Sequence, residues 1–336
     1  MFSNKTIYKV LVVAAVFTAL ACDRSDVEKP SKDDFAVTTN VILDTDIGNS
    51  LDDVVAMDIL FHEQKASNIR LLGVMVNHDH LLAPQVVDIM NTWYGYPSTP
   101  IGMVRDGVTD SRIWEDYAPL LCSNELFLRS VDDYAGLPDA VDLYRELLSQ
   151  SEDGSVTILS IGFFTNLARL LESAPDEYSP LSGRELVRRK VKTVVAMCGS
   201  TSEPEYNVYN DLESAKAVFS QLPVTMTVIP AEVHLDVSTV DIGEATSWVV
   251  PHPIHDSFTT LHSDDRNWLW DASAALCLVK GFSNAVVSER CEASIEAAGT
   301  MRLTPNATGR FRTVSLTESQ TAHNESLLLE YLGTAM

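Results

Sequence analysis

Basic residues are scarce in this chain: 24 Lys and Arg stand against 47 Asp and Glu among 336 residues, a formal charge of −23. A field this acidic repels phosphate backbones and anionic lipid surfaces, so no nucleic-acid partner is expected. Cysteine is scarce too. The five, at 22, 122, 198, 277 and 291, fall at no CxxC or other metal-ligand spacing, which excludes a zinc ribbon and a redox pair. Cys198 and Cys277 sit in apolar runs and are expected as small core residues; outside the cytoplasm disulfides are permitted, but nothing in the sequence pairs them. With 15 Gly and 14 Pro there is no room for a collagen-like or low-complexity body. What is present, 46% hydrophobic and 21% charged residues, is the composition of a globular protein with a sizeable core.

The amino terminus carries its own signal. Lys5 and Lys9 precede the apolar run Val10–Ala21, which falls short of the roughly 20 residues needed to span a bilayer. Residues 1–21 are expected to be an export signal, and Ala19-Leu20-Ala21-Cys22 resembles a bacterial lipobox. The protein is then periplasmic or a membrane-anchored lipoprotein, touching the membrane only through acylated Cys22; cleavage that leaves Cys22 as a plain thiol is the alternative. Processing removes two lysines and no acid, leaving −25. Residues 22–38 are polar, without periodicity, and read as a tether.

From residue 39 to 336 a single α/β domain is expected. Val- and Ile-rich runs (NVILDTD, IRLLGVMVN, PIGMV, VTILSIG, KTVVAMCG, VTMTVIP) alternate with amphipathic stretches, the pattern of an open, mostly parallel sheet with helices on both faces. Residues 231–285 read as helices and loops around a Trp-rich segment. RFRTVSL reads as one late strand and ESLLLEYLG as part of a closing amphipathic helix.

The strongest local feature is VILDTDIGNSLDDVVAM. A buried strand ends in Asp44-Thr45-Asp46, and a turn leads to Asp52-Asp53 at a helix start, so four carboxylates fall within ten residues. Carboxylates held this close repel one another, and a divalent cation with hard oxygen ligands relieves the repulsion. The plainer alternative is that Asp52 and Asp53 cap the helix and favour its positive end.

This cluster resembles the signature of the inosine-uridine-preferring nucleoside hydrolases, an Asp-Thr-Asp, a Gly and an Asp-Asp pair after the first strand. The spacing to the pair is two residues longer than in the best-known members and is similar to a bacterial DTDxGNxxDD branch. Further segments match in order. Asn77 ends LLGVMVN, Ile161 precedes the Gly of SIGFFTN, Glu205-Tyr206-Asn207 stand in EYNVYN, and Asp271 stands in LWDASAALCLV. Singly, each has a plainer reading: Asn166 and Asp211 suit helix caps, Tyr206 a core, Asp271 a helix's first turn.

The resemblance implies hydrolysis of the N-glycosidic bond of a ribonucleoside or related N-riboside, with Ca²⁺ as cofactor. Asp46 becomes base and metal ligand; Asp53, Asp271 and the Ile161 carbonyl are further ligands, with Asp44 orienting or completing the shell. Asp52, Asn77, Glu205 and Asn207 would hold ribose hydroxyls, with Tyr206 beside the sugar. A homo-oligomer is implied as well. One departure stands out: Trp270 occupies the place of the histidine that protonates the departing base, and indole gives up no labile proton, although it can stack on a base. His78 and His80 are candidates for the missing acid by position; exposed loop histidines are the plainer reading. Two alternatives follow. A non-catalytic nucleoside-binding lipoprotein would keep the contacts without the acid. A haloacid-dehalogenase-like phosphohydrolase also starts from a strand ending in Asp-x-Asp, but Gly48 stands where that family has Thr.

Overall fold

In the computed structural model, which describes residues 38–48, 50–109, 117–261 and 266–336, the run TNVILDT forms β1 (Thr39–Thr45), buried from Val41 onward. A strand covered on both faces has no polar side to show, which is why it reads as an unbroken apolar run. The export signal, Cys22 and the tether through residue 37 lie outside the described residues. Among the described residues no helix is long and apolar enough to cross a membrane.

The chain continues through α1 (Asp52–Lys65), β2 (Ile69–His78), α2 (Ala83–Trp93), β3 (Ile101–Val108), α3 (Tyr117–Ser123), α4 (Ala140–Gln150), β4 (Val156–Ser160), α5 (Thr165–Glu172) and α6 (Gly183–Lys190). It then forms β5 (Val191–Met197), α7 (Tyr206–Asn210), α8 (Leu212–Gln221) and β6 (Met226–Ile229). Strands β3, β2, β1, β4, β5 and β6 lie side by side in that order, all parallel. The chain builds outward from β1 on one side, then crosses back to place β4 on the other. The crossovers therefore diverge between β1 and β4, and a crevice opens at the carboxyl ends of those two strands, where open α/β sheets bind ligands.

Helices cover both faces, as the alternation predicts. One apolar core joins the sheet to α1 and α2, the other to α4, α5, α6 and α8. The expectation of an amphipathic α1 is corrected, because the helix is buried almost all round from Asp52 to Phe61. It lies against β2 and is covered in turn by two later helices, α11 (Trp270–Val279) and α12 (Glu318–Leu332). A helix with neighbours on every side has no polar stripe.

The carboxy-terminal third holds more strand than the sequence shows. Residues 231–285 carry α9 (Thr239–Ala245) and α10 (Pro253–Leu261), and also an antiparallel ribbon of β7 (Leu235–Val237) and β8 (Asn267–Leu269). Beyond α11 come β9 (Val286–Val287), β10 (Cys291–Ile295), β11 (Met301–Pro305) and β12 (Phe311–Ser315). β12 pairs parallel to β6, and β10 and β11 extend the sheet antiparallel. Three-residue strands are too short for alternation to register, and β11 is largely solvated. Cys198, Cys277 and Cys291 are buried and Cys122 half-buried, each a free thiol.

Below α10 lies His252, fully buried between the rings of Trp93 (4.5 Å between centroids) and Trp248 (5.4 Å). Its Nδ1 accepts the Ile254 N–H at 3.2 Å. Burial pushes its pKa down from 6.5 to about 4. A folded value below the unfolded one means that the neutral ring contributes stability above pH 6.5, lost as pH falls toward 4. The difference in unfolding free energy between wild type and His252→Gln should shrink by about 3 kcal/mol between pH 7 and pH 4. A pH-independent difference in denaturant melts would contradict this.

Candidate active site

β1 delivers its last carboxylates into the crevice, and the chain must then turn sharply to enter α1. Gly48 makes the turn with φ of +108°, and its N–H donates to the Tyr117 hydroxyl at 2.8 Å. Asp52 and Asp53 follow in the first turn of α1, but neither is its cap, since Leu51 holds that position without a side-chain bond. Asp52 instead caps a different helix. Its Oδ2 accepts the N–H groups of Trp270 (2.9 Å) and Asp271 (3.0 Å), the first two residues of α11. Two helix amino termini therefore face each other, and their positive ends favour the acids between them.

Carboxylate oxygens of Asp52, Asp53 and Asp271 lie within 4.8 Å of one another, all three residues buried. At an effective dielectric of about 20, two unit charges that close repel by roughly 3.5 kcal/mol. Burial first, then the charges of Asp46 and Asp52, push the Asp53 carboxyl well above its ordinary range. Asp271 is driven up in the same way, by burial and then by Asp52, Asp53 and Asp46. The Thr45 hydroxyl donates to Asp53 Oδ1, whereas the buried Oδ2 accepts no hydrogen bond. A buried carboxylate oxygen without a donor is costly unless a cation meets it. Hard oxygen donors converging on one point fit a divalent metal ion, and Asp46 lines one cavity with Asp52 and Asp271.

Asp44 has a different surrounding. Its Oδ1 accepts from the side-chain amides of Asn77 (2.8 Å) and Asn166 (3.0 Å), and its Oδ2 accepts from the Tyr144 hydroxyl (2.8 Å). Burial lifts its pKa to about 7 against those three bonds. Three donors on two oxygens make it a strut joining β1, β2, α4 and α5. Asn77 passes the order on, because its Oδ1 accepts the Phe163 N–H at 3.0 Å. The residue before Phe163 is Gly162, where a Cβ would stand 2.4 Å from the Asp46 nitrogen and 2.6 Å from Asn77 Oδ1. Only glycine lets the end of β4 approach the Asp46 loop this closely.

From the β5 side come Glu205 and Asn207. Glu205 caps α7, accepting the N–H groups of Asn207 (2.8 Å), Val208 (3.1 Å) and Gly199 (2.9 Å), while burial raises its pKa. Asn207 Nδ2 donates to the Met197 carbonyl at 3.2 Å. Asp46, Asp52, Ile161, Glu205, Tyr206, Asn207, Trp270 and Asp271 all line one cavity of about 630 Å³, a size that suits a small molecule. Trp270 and the half-exposed Trp268 wall it, 5.8 Å apart at 80°, and the Trp270 indole N–H donates to the Ala231 carbonyl at 2.9 Å.

Comparison with known proteins agrees with this geometry. Residues 41–326 match the family model described as inosine-uridine preferring nucleoside hydrolase. The chain belongs to that family. A pyrimidine-specific ribonucleoside hydrolase, RihA of Escherichia coli O1:K1 / APEC, is 33% identical over 140 residues, 38% of this chain. That match spans 41% of the relative's length. Two solved nucleoside hydrolases share the fold. The plant enzyme PpNRh1 has a TM-score of 0.68 at 16% identity, covering 88% of this chain and 99% of its own. An inosine-uridine preferring nucleoside hydrolase from Bacillus anthracis has a TM-score of 0.65 at 18% identity, covering 87% and 99%. Membership in the nucleoside hydrolase family sets the phosphohydrolase alternative aside.

Several placements differ from the plainer sequence readings. Asn166 reaches Asp44 rather than capping α5, and Asp211 holds the N-cap position of α8 as expected but turns its carboxylate to the Thr165 hydroxyl. His78 is no exposed loop residue: it ends β2, buried, with His80 stacked at 5.5 Å and Phe163 at 6.2 Å. Neither histidine is among the described residues lining the cavity. Tyr144, Trp268 and Tyr117 carry no signal in the sequence, whereas Gly162 is marked by the Ser-Ile-Gly that follows β4.

Proposed function

We infer that the protein is a calcium-dependent N-ribohydrolase, cleaving a ribonucleoside or related N-riboside to ribose and free base. The observation that carries this reading is the meeting of Asp52, Asp53 and Asp271 beside Asp46 at the reversal of strand order, in a cavity with Glu205 and Asn207 across from them. Asp53, Asp271, Asp46 and the Ile161 carbonyl are the proposed ligands, and an all-oxygen set suits Ca²⁺. Such an ion, when bound, makes a water more acidic and holds sugar hydroxyls near it. Asp46 accepts the water's proton as the anomeric carbon becomes oxocarbenium-like. Asp52, Glu205 and Asn207 hold the ribose hydroxyls, Tyr206 lies beside the sugar, and Trp270 stacks against the base, while Asn77, its amide taken by Asp44 and the Phe163 N–H, stands behind the cavity wall. Asp44 keeps Asn77 and the Asp46 loop in register.

Removing the metal tests this. Dialysis against a chelator should abolish ribose release, Ca²⁺ should restore it, and Asp53→Ala should show no restoration. Activity indifferent to chelation would contradict the metal assignment. A second reading, a nucleoside-binding protein without turnover, is favoured by Trp270 and is established if nucleosides bind and no ribose appears. Export and acylation of Cys22 belong to the same proposal, tested by incorporation of labelled palmitate into wild type but not Cys22→Ser. A homo-oligomer would show in light scattering.

A further inference from the structure

In the nucleoside hydrolase reading the departing base must carry away the bonding electron pair, and a neutral base does so more readily when something protonates it. Trp270 stands nearest the metal-binding aspartates on the aromatic wall, and its one polar hydrogen is engaged with the Ala231 carbonyl. The described lining contributes aromatic faces and acids instead. Asp46, Asp52, Glu203, Glu205 and Asp271 set five formal negative charges against the single positive charge of Arg266. That guanidinium is itself held by Asp236, with Nε to Oδ1 and Nη2 to Oδ2 both at 2.7 Å. Counted with Asp53, its further proposed ligand, a bound dication still leaves a formal excess of three negative charges. Indole faces attract cations, more strongly where water is excluded.

We propose that the preferred leaving group is a cationic heteroaromatic ring, so that the substrate class is the N-ribosylpyridiniums, held by the Trp268–Trp270 wall and the acidic lining. This rests on the N-ribohydrolase reading and names its substrate class. The chemistry closes without a proton donor. Water oxygen bonds to the anomeric carbon, the carbon–nitrogen bond breaks, and its electron pair returns to the ring nitrogen, giving a neutral pyridine. The proton lost by water passes to Asp46 and then to solvent, one per turnover.

Three measurements separate the outcomes. By calorimetry, 1-methyl-3-carbamoylpyridinium should bind the calcium-loaded protein at least about tenfold more tightly than its uncharged isostere 3-methylbenzamide. The kcat/KM for 3-carbamoyl-1-ribosylpyridinium should exceed that for uridine at least about tenfold. Trp268→Leu, at an exposed position, should narrow both ratios severalfold. Equal binding of cation and isostere, or ratios unmoved in Trp268→Leu, would overturn the proposal. Turnover of 4-nitrophenyl β-riboside, whose leaving group needs no protonation, reads ribosyl cleavage by itself. If that aryl glycoside is cleaved without any preference for the cation, only the substrate class falls; if it is not cleaved while the cation still binds preferentially, the hydrolase reading falls and the cation pocket stands.

Discussion

Replacing Asp46 with asparagine should lower kcat for N-riboside hydrolysis by about 10³-fold while leaving the thermal midpoint nearly unchanged. The amide has the shape of the carboxyl and keeps its volume, but it cannot accept a proton from water. Asp46 is nearly buried, lines the cavity, and sits close enough to Asp53 and Asp271 to raise both their carboxyls. Removing one negative charge from that group relieves repulsion, so stability should hold or rise slightly. Steady-state rates with circular-dichroism melts check both halves. Activity within tenfold of wild type would show that another group takes the proton.

The second large effect is expected from a single methyl group. Gly162→Ala places a Cβ against the Asp46 backbone nitrogen and Asn77 Oδ1, at separations of 2.4 and 2.6 Å that real carbon contacts do not adopt. Asn77 is held by Asp44 and the Phe163 amide, and the Asp46 nitrogen is backbone, so neither yields easily. Overpacking of this kind costs roughly 1 to 3 kcal/mol of stability. The effect on turnover should be larger, about 10²-fold or more, because a shift near 1 Å moves the Asp46 carboxylate off the line of attack. Gly154→Ala, with nothing within 4 Å of its Cβ but a φ of +64°, brings backbone strain without overpacking and should leave turnover unchanged, which separates the two effects. Equal activity of Gly162→Ala and wild type would refute the close-approach argument.

The parts of the site that lie along the chain were legible beforehand. The β1 run ending in Asp44-Thr45-Asp46 and the acidic start of α1 announce themselves through strand-to-turn-to-helix chemistry, and the Gly after Ile161 and Asp271 opening α11 stand out through the family resemblance. What joins them is non-local. Asp52 caps α11 from more than 200 residues away, and Tyr144 reaches Asp44 across 100 residues. Tyr144 sits on α4 among core residues, and nothing in its neighbours marks its hydroxyl as a strut. The all-round burial of α1 was hidden for the same reason, since α11 and α12, which cover it, come last in the chain. Short β7 and β8 escaped because three residues carry no periodicity.

The central claim is hydrolytic cleavage at the anomeric carbon, and it is tested most directly by following an N-riboside by proton NMR with the calcium-loaded protein. Free base and free ribose should appear in equal amounts, with Asp46→Asn forming both about 10³-fold more slowly. Unchanged riboside across uridine, inosine and the ribosylpyridinium, with the ligands bound, would contradict it.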